Sequence, residues 1–334
     1  MGMPDLPQLV VAVVLVAMIA YVASGGADFG SGVWELFARG PRAEPQVRAL
    51  REAIAPIWEA NHVWLILVVV LLFVCFPMAF AAIMVALHIP VTLMLVGIVL
   101  RGAAFVFQSY AAGDHAIEHL SVRLFRIASA ITPMALGVVA GAVAGGNIRV
   151  DAATGAVTSG AVRPWLLPFP LLVGAMTLGL CTYLAAVYMT LETDGQLRED
   201  FRRRALLAGC AVGAIALPAA WVALREAPVI GVPLLTSPWS LPFHVATGVV
   251  AVLALVALGR RHFHWARLLA IAQTALILIG WGVAQYPRVL APDLDLENCA
   301  AAPAVLEATL LVLGIGTVLL VPAFVCLYRV FKSG

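Results

Sequence analysis

Ile54-Ala55-Pro56-Ile57-Trp58-Glu59-Ala60-Asn61-His62-Val63-Trp64-Leu65-Ile66 decides how the rest of the chain is read. It opens an apolar run that continues to Phe76, yet it carries an acid, an amide and an imidazole near its start. A run of that length reads as a membrane helix. An ionisable side chain at the centre of a bilayer costs about 2.5–3.5 kcal/mol on insertion scales, so an acid placed there is by default a functional feature. At helical spacing Glu59 and His62 share a face, as do Trp58 and His62. One helix therefore offers a proton-exchanging pair beside an indole, with Asn61 next to it.

The composition agrees with that reading. Of 334 residues, 63% are hydrophobic and 11% charged, against about 25% charged in soluble domains. Mean hydropathy is +1.02. The expected fold class is all-α, a polytopic membrane protein with about nine transmembrane helices, near 7–37, 54–76, 78–107, 122–145, 164–190, 204–224, 240–259, 264–286 and 304–330. The basic residues test the count. Arg39, Arg42, Arg48 and Arg51, then Arg101, Arg123 and Arg126, then Arg198, Arg202, Arg203 and Arg204, then Arg260, Arg261 and Arg267, and finally Arg329 and Lys332 all fall on one side. Only Arg149, Arg163, Arg225 and Arg288 fall on the other. Sixteen of the twenty basic residues on one side put the odd-numbered loops and the C-terminus in the cytoplasm, and the N-terminus outside. Asp5, with no basic residue before the first apolar run, reads as preceding a retained span and not a cleaved signal. The expectation is one integral membrane domain over 1–334, with two helix bundles at about 1–145 and 164–286 and a last helix at 304–330. The outer interval 146–163, rich in Gly, Ala and Thr, reads as a surface loop.

The first span carries a second polar pattern. Ser24, Asp28, Ser31 and Glu35 step by four, three and four along one helix face. Gly26 and Gly30 have small-xxx-small spacing, with Gly25 and Gly32 nearby, which lets another backbone come close. Arg101 closes the third span; it either snorkels to the cytoplasmic interface or is the countercharge of an acid such as Asp28 or Glu59. His88 is expected about one-third along that span, and His244 reads as a hydrogen-bonded structural group.

Soluble-enzyme signatures are missing: no GxxxxGK[ST], no GxGxxG after a strand, no HExxH and no GxSxG. Nor is there a basic block with interleaved aromatics, so nucleic acid is not an expected partner. The five cysteines stand alone, with no CxxC or CxxCH, and no metal site is expected. Cys75, Cys181, Cys210 and Cys326 read as small core hydrophobes and Cys299 as a loop residue. What remains is proton chemistry inside the membrane, on Asp28, Glu59, His62 and Glu35. Haem ligation would need two histidines facing one cavity at matching depth, from His62, His88 and His244.

These residues also match a known pattern. Gly25-Gly26-Ala27-Asp28-Phe29-Gly30-Ser31-Gly32 resembles D-G-F-D-x-G-x-G, and Ile54 to Ile66 resembles I-x-P-x-W-[DE]-x-N-x-V-W-L. Phe76-Pro77, Leu100-Arg101-Gly102-Ala103-Ala104-Phe105, Leu191-Glu192-Thr193-Asp194-Gly195 and Tyr286-Pro287 follow in the same order. Over nearly its whole length the chain resembles subunit II of cytochrome bd-type quinol oxidases. The resemblance implies a partner, subunit I, that holds haem b and haem d and the quinol-oxidising loop, in a bacterial inner membrane, with a small accessory subunit, lipids and quinone as further partners. It implies that the pair oxidises quinol and reduces dioxygen to water with protons from the cytoplasm. Glu59 takes the position of the family's proton-path acid, supported by Trp58, Asn61 and His62; Asp28 takes the second aspartate of the glycine block, and Arg101 the family's arginine. The chain departs from the pattern at Gly25, where the family has an aspartate, and at Val106-Phe107-Gln108, where it often has a glutamate followed by F-R. The rival readings are a proton-coupled secondary transporter, whose matched broken helices are not evident here, and a scaffold for a catalytic partner.

Overall fold

Apolar runs broken by proline and glycine dictate a helical chain, and in a bilayer a helix satisfies every backbone group internally. The computed structural model describes residues 5–54, 58–110, 115–151 and 153–332, without the side chains of 54, 58–60, 108–110, 115–118 and most of 320–332. Its helices are α1 (Leu6–Leu36), α2 (Ala43–Ile54), α3 (Trp58–Cys75), α4 (Pro77–Ala86), α5 (His88–Tyr110), α6 (His115–Ala144), α7 (Arg163–Leu166), α8 (Pro168–Glu192), α9 (Gly195–Glu226), α10 (Pro228–Thr236), α11 (Ser240–Gly259), α12 (Phe263–Gln285) and α13 (Pro303–Lys332). Among the described residues seven helices, α1, α5, α6, α8, α9, α11 and α12, are long and apolar enough to cross a membrane, and α3 with α4 forms a bent pair.

The third expected span, 78–107, is not one helix. α3 and α4 meet at 116°, and α4 stops at Ala86, one residue before α5. The cause is local. Inside the expected span the helix is interrupted at Leu87, at φ −115° and ψ 24°, while Phe76, held out of the helical region before a proline at φ −135° and ψ 59°, makes the corner between α3 and α4. Pro90 falls in the first turn of α5, where an N–H has no helical partner to lose. Hydropathy cannot register a change of direction, so two apolar helices read as one. His88 therefore opens α5 instead of sitting part-way along it, and its exposed ring bonds the Val85 carbonyl at 3.0 Å.

The interval between the first two spans contains α2, which buries Gln46 and Leu50 and turns Arg48 outward. α9 starts nine residues ahead of the expected position 204, at Gly195. Only Thr193 and Asp194 separate it from α8. The interval after α12 holds a two-stranded antiparallel hairpin, β1 (Arg288–Leu290) and β2 (Leu294–Asp295). Its Leu290 and Leu294 are buried in one core with Cys75, Phe76 and Val143. The Ala291 N–H donates to Val143 O at 3.3 Å and the Ala301 N–H to Cys75 O at 2.8 Å. Cys299 is buried there, whereas Cys210 and Cys326, expected in the core, lie exposed on helix surfaces.

α1 packs against α3, α6, α8 and α12. Lipid tails are as apolar as leucine, so helices in a membrane associate through close packing and hydrogen bonds. A Cβ on Gly30 would overlap the Cys181 carbonyl of α8, and one on Gly32 would overlap the Ser129 hydroxyl of α6. These two positions set how deeply α1 sits between its neighbours.

Candidate functional site: a buried ion pair between α1, α5 and α6

The polar stripe of α1 turns inward. Asp28 is 2% exposed, Ser31 2% and Glu35 1%. Ser24 and Ser31 spend their hydroxyls on their own helix, donating to the carbonyls of Ala20 at 2.7 Å and Asp28 at 2.6 Å. Asp28 instead reaches across to α5. Arg101 Nη1 donates to Asp28 Oδ2 at 2.8 Å, and Nη2 donates both to Asp28 Oδ1 and to the Asp28 carbonyl, the latter at 3.1 Å. The Arg101 Nε–H donates to Ser129 Oγ on α6 at 3.1 Å. Phe29 and Phe125 lie against the guanidinium, with ring centroids 4.9 and 5.0 Å from its carbon. Arg101 is 3% exposed, so it does not snorkel. A forked guanidinium matched to a carboxylate is among the stronger polar contacts, and both carboxylate oxygens are engaged by it.

Glu35 lies two helical turns further along the stripe. Its carboxylate accepts from Arg51 at 3.2 Å to each oxygen, and from Arg126 Nε at 3.4 Å. The acid is fully covered while its two arginines are about one-third exposed. This group marks where the stripe meets the arginine-rich side.

On the opposite flank of α1, α3 brings Asn61 and His62 inward. The His62 ring stands 6.3 Å from that of Tyr21 and 6.2 Å from that of Phe29. Tyr21 Oη, Asn61 Nδ2 and His62 Nδ1 are buried and have no hydrogen-bond partner among the described residues. Buried polar atoms in native proteins are almost always paired, so three orphans on neighbouring side chains mark a place where proton-bearing groups gather. Gly25 faces this group: a Cβ there would lie 3.2 Å from Tyr21 Cε2 and 3.5 Å from Asn61 Cβ. The side chains of Trp58 and Glu59 lie outside the described residues.

The structure thus joins Asp28 with Arg101, and places Asn61 and His62 on the other side of Phe29. Ser129, Phe125 and Tyr21 were not singled out from the sequence. Ser129 and Thr132 are polar steps inside an apolar run, and that was the available signal. Of the three histidines near spans, His62 turns inward, while His88 and His244 are exposed. His244 Nδ1 is engaged with the Ser240 carbonyl at 2.8 Å. No group of three or more metal-ligating side chains occurs among the described residues.

A family model described as "Cytochrome bd terminal oxidase subunit II" matches residues 6–331. The chain is 26% identical over 315 residues to the cytochrome bd-I ubiquinol oxidase subunit 2 of Escherichia coli K12, covering 85% of this chain and 81% of that one. It is 22% identical over 325 residues to a putative cytochrome bd menaquinol oxidase subunit II of Bacillus subtilis, covering 93% and 91%. Its fold matches a chain in the structure of bd oxidase from Geobacillus thermodenitrificans, with TM-score 0.76, 20% identity, and coverage of 98% and 99%.

Proposed function

The chain belongs to the cytochrome bd terminal oxidase subunit II family, and from that premise we propose that with subunit I it couples quinol oxidation to the reduction of dioxygen to water, its own residues serving proton supply. As a member it is a subunit of a terminal oxidase and a multi-pass membrane protein. In this reading it resides in a bacterial inner membrane, with nine spans in two bundles and a last helix, N-terminus outside and C-terminus cytoplasmic. Haem b and haem d supply the oxygen-reducing chemistry when bound, and subunit I holds them.

Reduction of dioxygen to water consumes protons, and acids inside membrane helices are where such protons pass. Glu59 is the proton-exchanging acid. It lies one helical turn ahead of His62 on α3. Asn61 and His62 extend the path inward, and Trp58 orients the acid. Asp28 and Arg101 form the fixed countercharge: with both carboxylate oxygens bound to the guanidinium, Asp28 is poorly placed to carry protons itself. The observation that carries this is the set of buried polar atoms without partners on Tyr21, Asn61 and His62, separated from the Asp28–Arg101 pair by Phe29.

The test is Glu59→Gln in the purified two-subunit complex. General acid–base and relay groups contribute about 10²–10⁴-fold, so quinol-driven oxygen consumption should fall by at least ten-fold while the subunits still elute together. Turnover equal to the parent's would remove the relay role and leave the chain a scaffold.

A further inference from the structure

We propose that the arginine-lined hollow between the end of α1, α2 and the start of α9 is a binding site for the phosphate group of an acidic membrane lipid. The hollow has a volume of about 200 Å³ and is lined by Arg39, Pro41, Arg42, Gln46, Asp200, Arg203 and Arg204. Four arginines stand there against one carboxylate, and that carboxylate is already taken. Arg42 Nε and Nη2 donate to its two oxygens at 2.8 Å each, and Gln46 Nε2 donates at 2.8 Å.

The other arginines are under-used. Arg39 makes no hydrogen bond or ion pair with any described residue. Arg203 has only a 3.7 Å pairing with Glu199. Arg204 gives Nη2 to Gln46 Oε1 at 2.6 Å, but its Nη1 is buried without a partner. Four guanidinium groups around one carboxylate that is already engaged leave positive charge that an anion would offset. Arginine presents forked donors that fit phosphate oxygens.

Position selects the source of the phosphate. The hollow lies at the ends of spans, on the side that carries sixteen of the twenty basic residues. Trp34, over which Arg204 stacks at 5.1 Å, is the kind of residue that sits at headgroup depth. Basic pockets between membrane helices at this level recognise anionic headgroups. Lipid binding here needs no oxidase chemistry and stands apart from the Asp28–Arg101 pair.

The experiment is native mass spectrometry of the delipidated complex titrated with phosphatidylglycerol, with phosphatidylcholine as the neutral control. Two complexes are compared with the parent. Arg39→Gln/Arg203→Gln removes charge from the hollow, and Arg260→Gln/Arg261→Gln removes the same charge from the same side outside it. A basic side chain near an anionic surface is worth roughly five-fold in affinity, so the hollow variant should bind phosphatidylglycerol about thirty-fold more weakly. The outer variant and the neutral lipid should show little change. Displacement of the lipid by millimolar inorganic phosphate alone would keep the phosphate site and make free phosphate its natural occupant. Equal losses in the two variants, or no loss in either, would overturn the proposal.

Discussion

Arg101 shows what a single residue position can and cannot reveal. Its place at the end of an apolar run allowed two fates, and only packing decides between them: Gly32 lets α6 approach, Ser129 takes the Nε–H, and Phe29 and Phe125 close over the plane. Removing one member of a buried pair strands the other, at a cost of about 3–5 kcal/mol, whereas replacing both with apolar groups is often near neutral. Asp28→Asn should therefore lower the thermal midpoint and yield of the complex sharply. Asp28→Leu combined with Arg101→Met should recover most of that loss. An Asp28→Asn complex that melts with the parent would mean the pair is not buried as described. Cys299 gives a second residue-scale expectation. Burial, with Asp295 adding to it, pushes its thiol from 9.0 up to about 12. The unfolded chain ionises this thiol first, so its contribution to stability is complete below pH 9 and is lost as pH rises towards 12. Because the thiolate is the nucleophile, iodoacetamide at pH 8 should modify native Cys299 about a thousand-fold more slowly than the same residue in denaturant, read by peptide mass analysis. Comparable rates would place the thiol in water.

Among the elements, those that cross the membrane were legible because about twenty apolar residues have few alternatives. Those that were not legible fail for identifiable reasons. The break between α4 and α5 is a backbone event at Leu87, inside the expected span 78–107, and it leaves hydropathy untouched. α2 is half polar and could not be told from a loop by apolarity alone. The hairpin is held by contacts distant in sequence, such as Ala301 to Cys75 and Val150 N–H to Asp293 Oδ2 at 2.8 Å. The polar stripe of α1 was legible as a face, but its partners, Arg101 above all, depend on which helices lie beside it. The glycine seam tests that dependence. Gly32→Ala should push α6 away and loosen the Ser129–Arg101 bond, an overpacking change of about 1–3 kcal/mol. Gly40→Ala, where an added Cβ meets nothing but φ is +81°, serves as a control for simple backbone strain outside the seam. Thermal midpoints of the two variants should separate this way: Gly32→Ala rescued in part by Ser129→Gly, Gly40→Ala indifferent to it. Absence of any rescue would mean the α1–α6 approach is not set by that glycine.

For the molecule as a whole, the arginine asymmetry is the argument for the proposed direction, which helix packing alone does not give. The chain would pack identically either way up, and only the sixteen basic residues on one side distinguish the two insertions. The same asymmetry decides where protons would enter and which leaflet the arginine-lined hollow faces, so orientation joins both proposals. Cysteine labelling of intact cells measures it directly. Ala153→Cys sits in the exposed loop between α6 and α7, and Glu52→Cys on the exposed face of α2. Of the native thiols, Cys75, Cys181 and Cys299 are buried, and the two exposed ones are removed beforehand by Cys210→Ser and Cys326→Ser. A membrane-impermeant maleimide should therefore modify Ala153→Cys in whole cells and reach Glu52→Cys only after lysis. The reverse pattern would turn the chain over. It would put Glu35, Arg51 and Arg126 on the outer face, and the stripe leading past Asp28 would then open away from the cytoplasmic protons that the proposed reaction consumes.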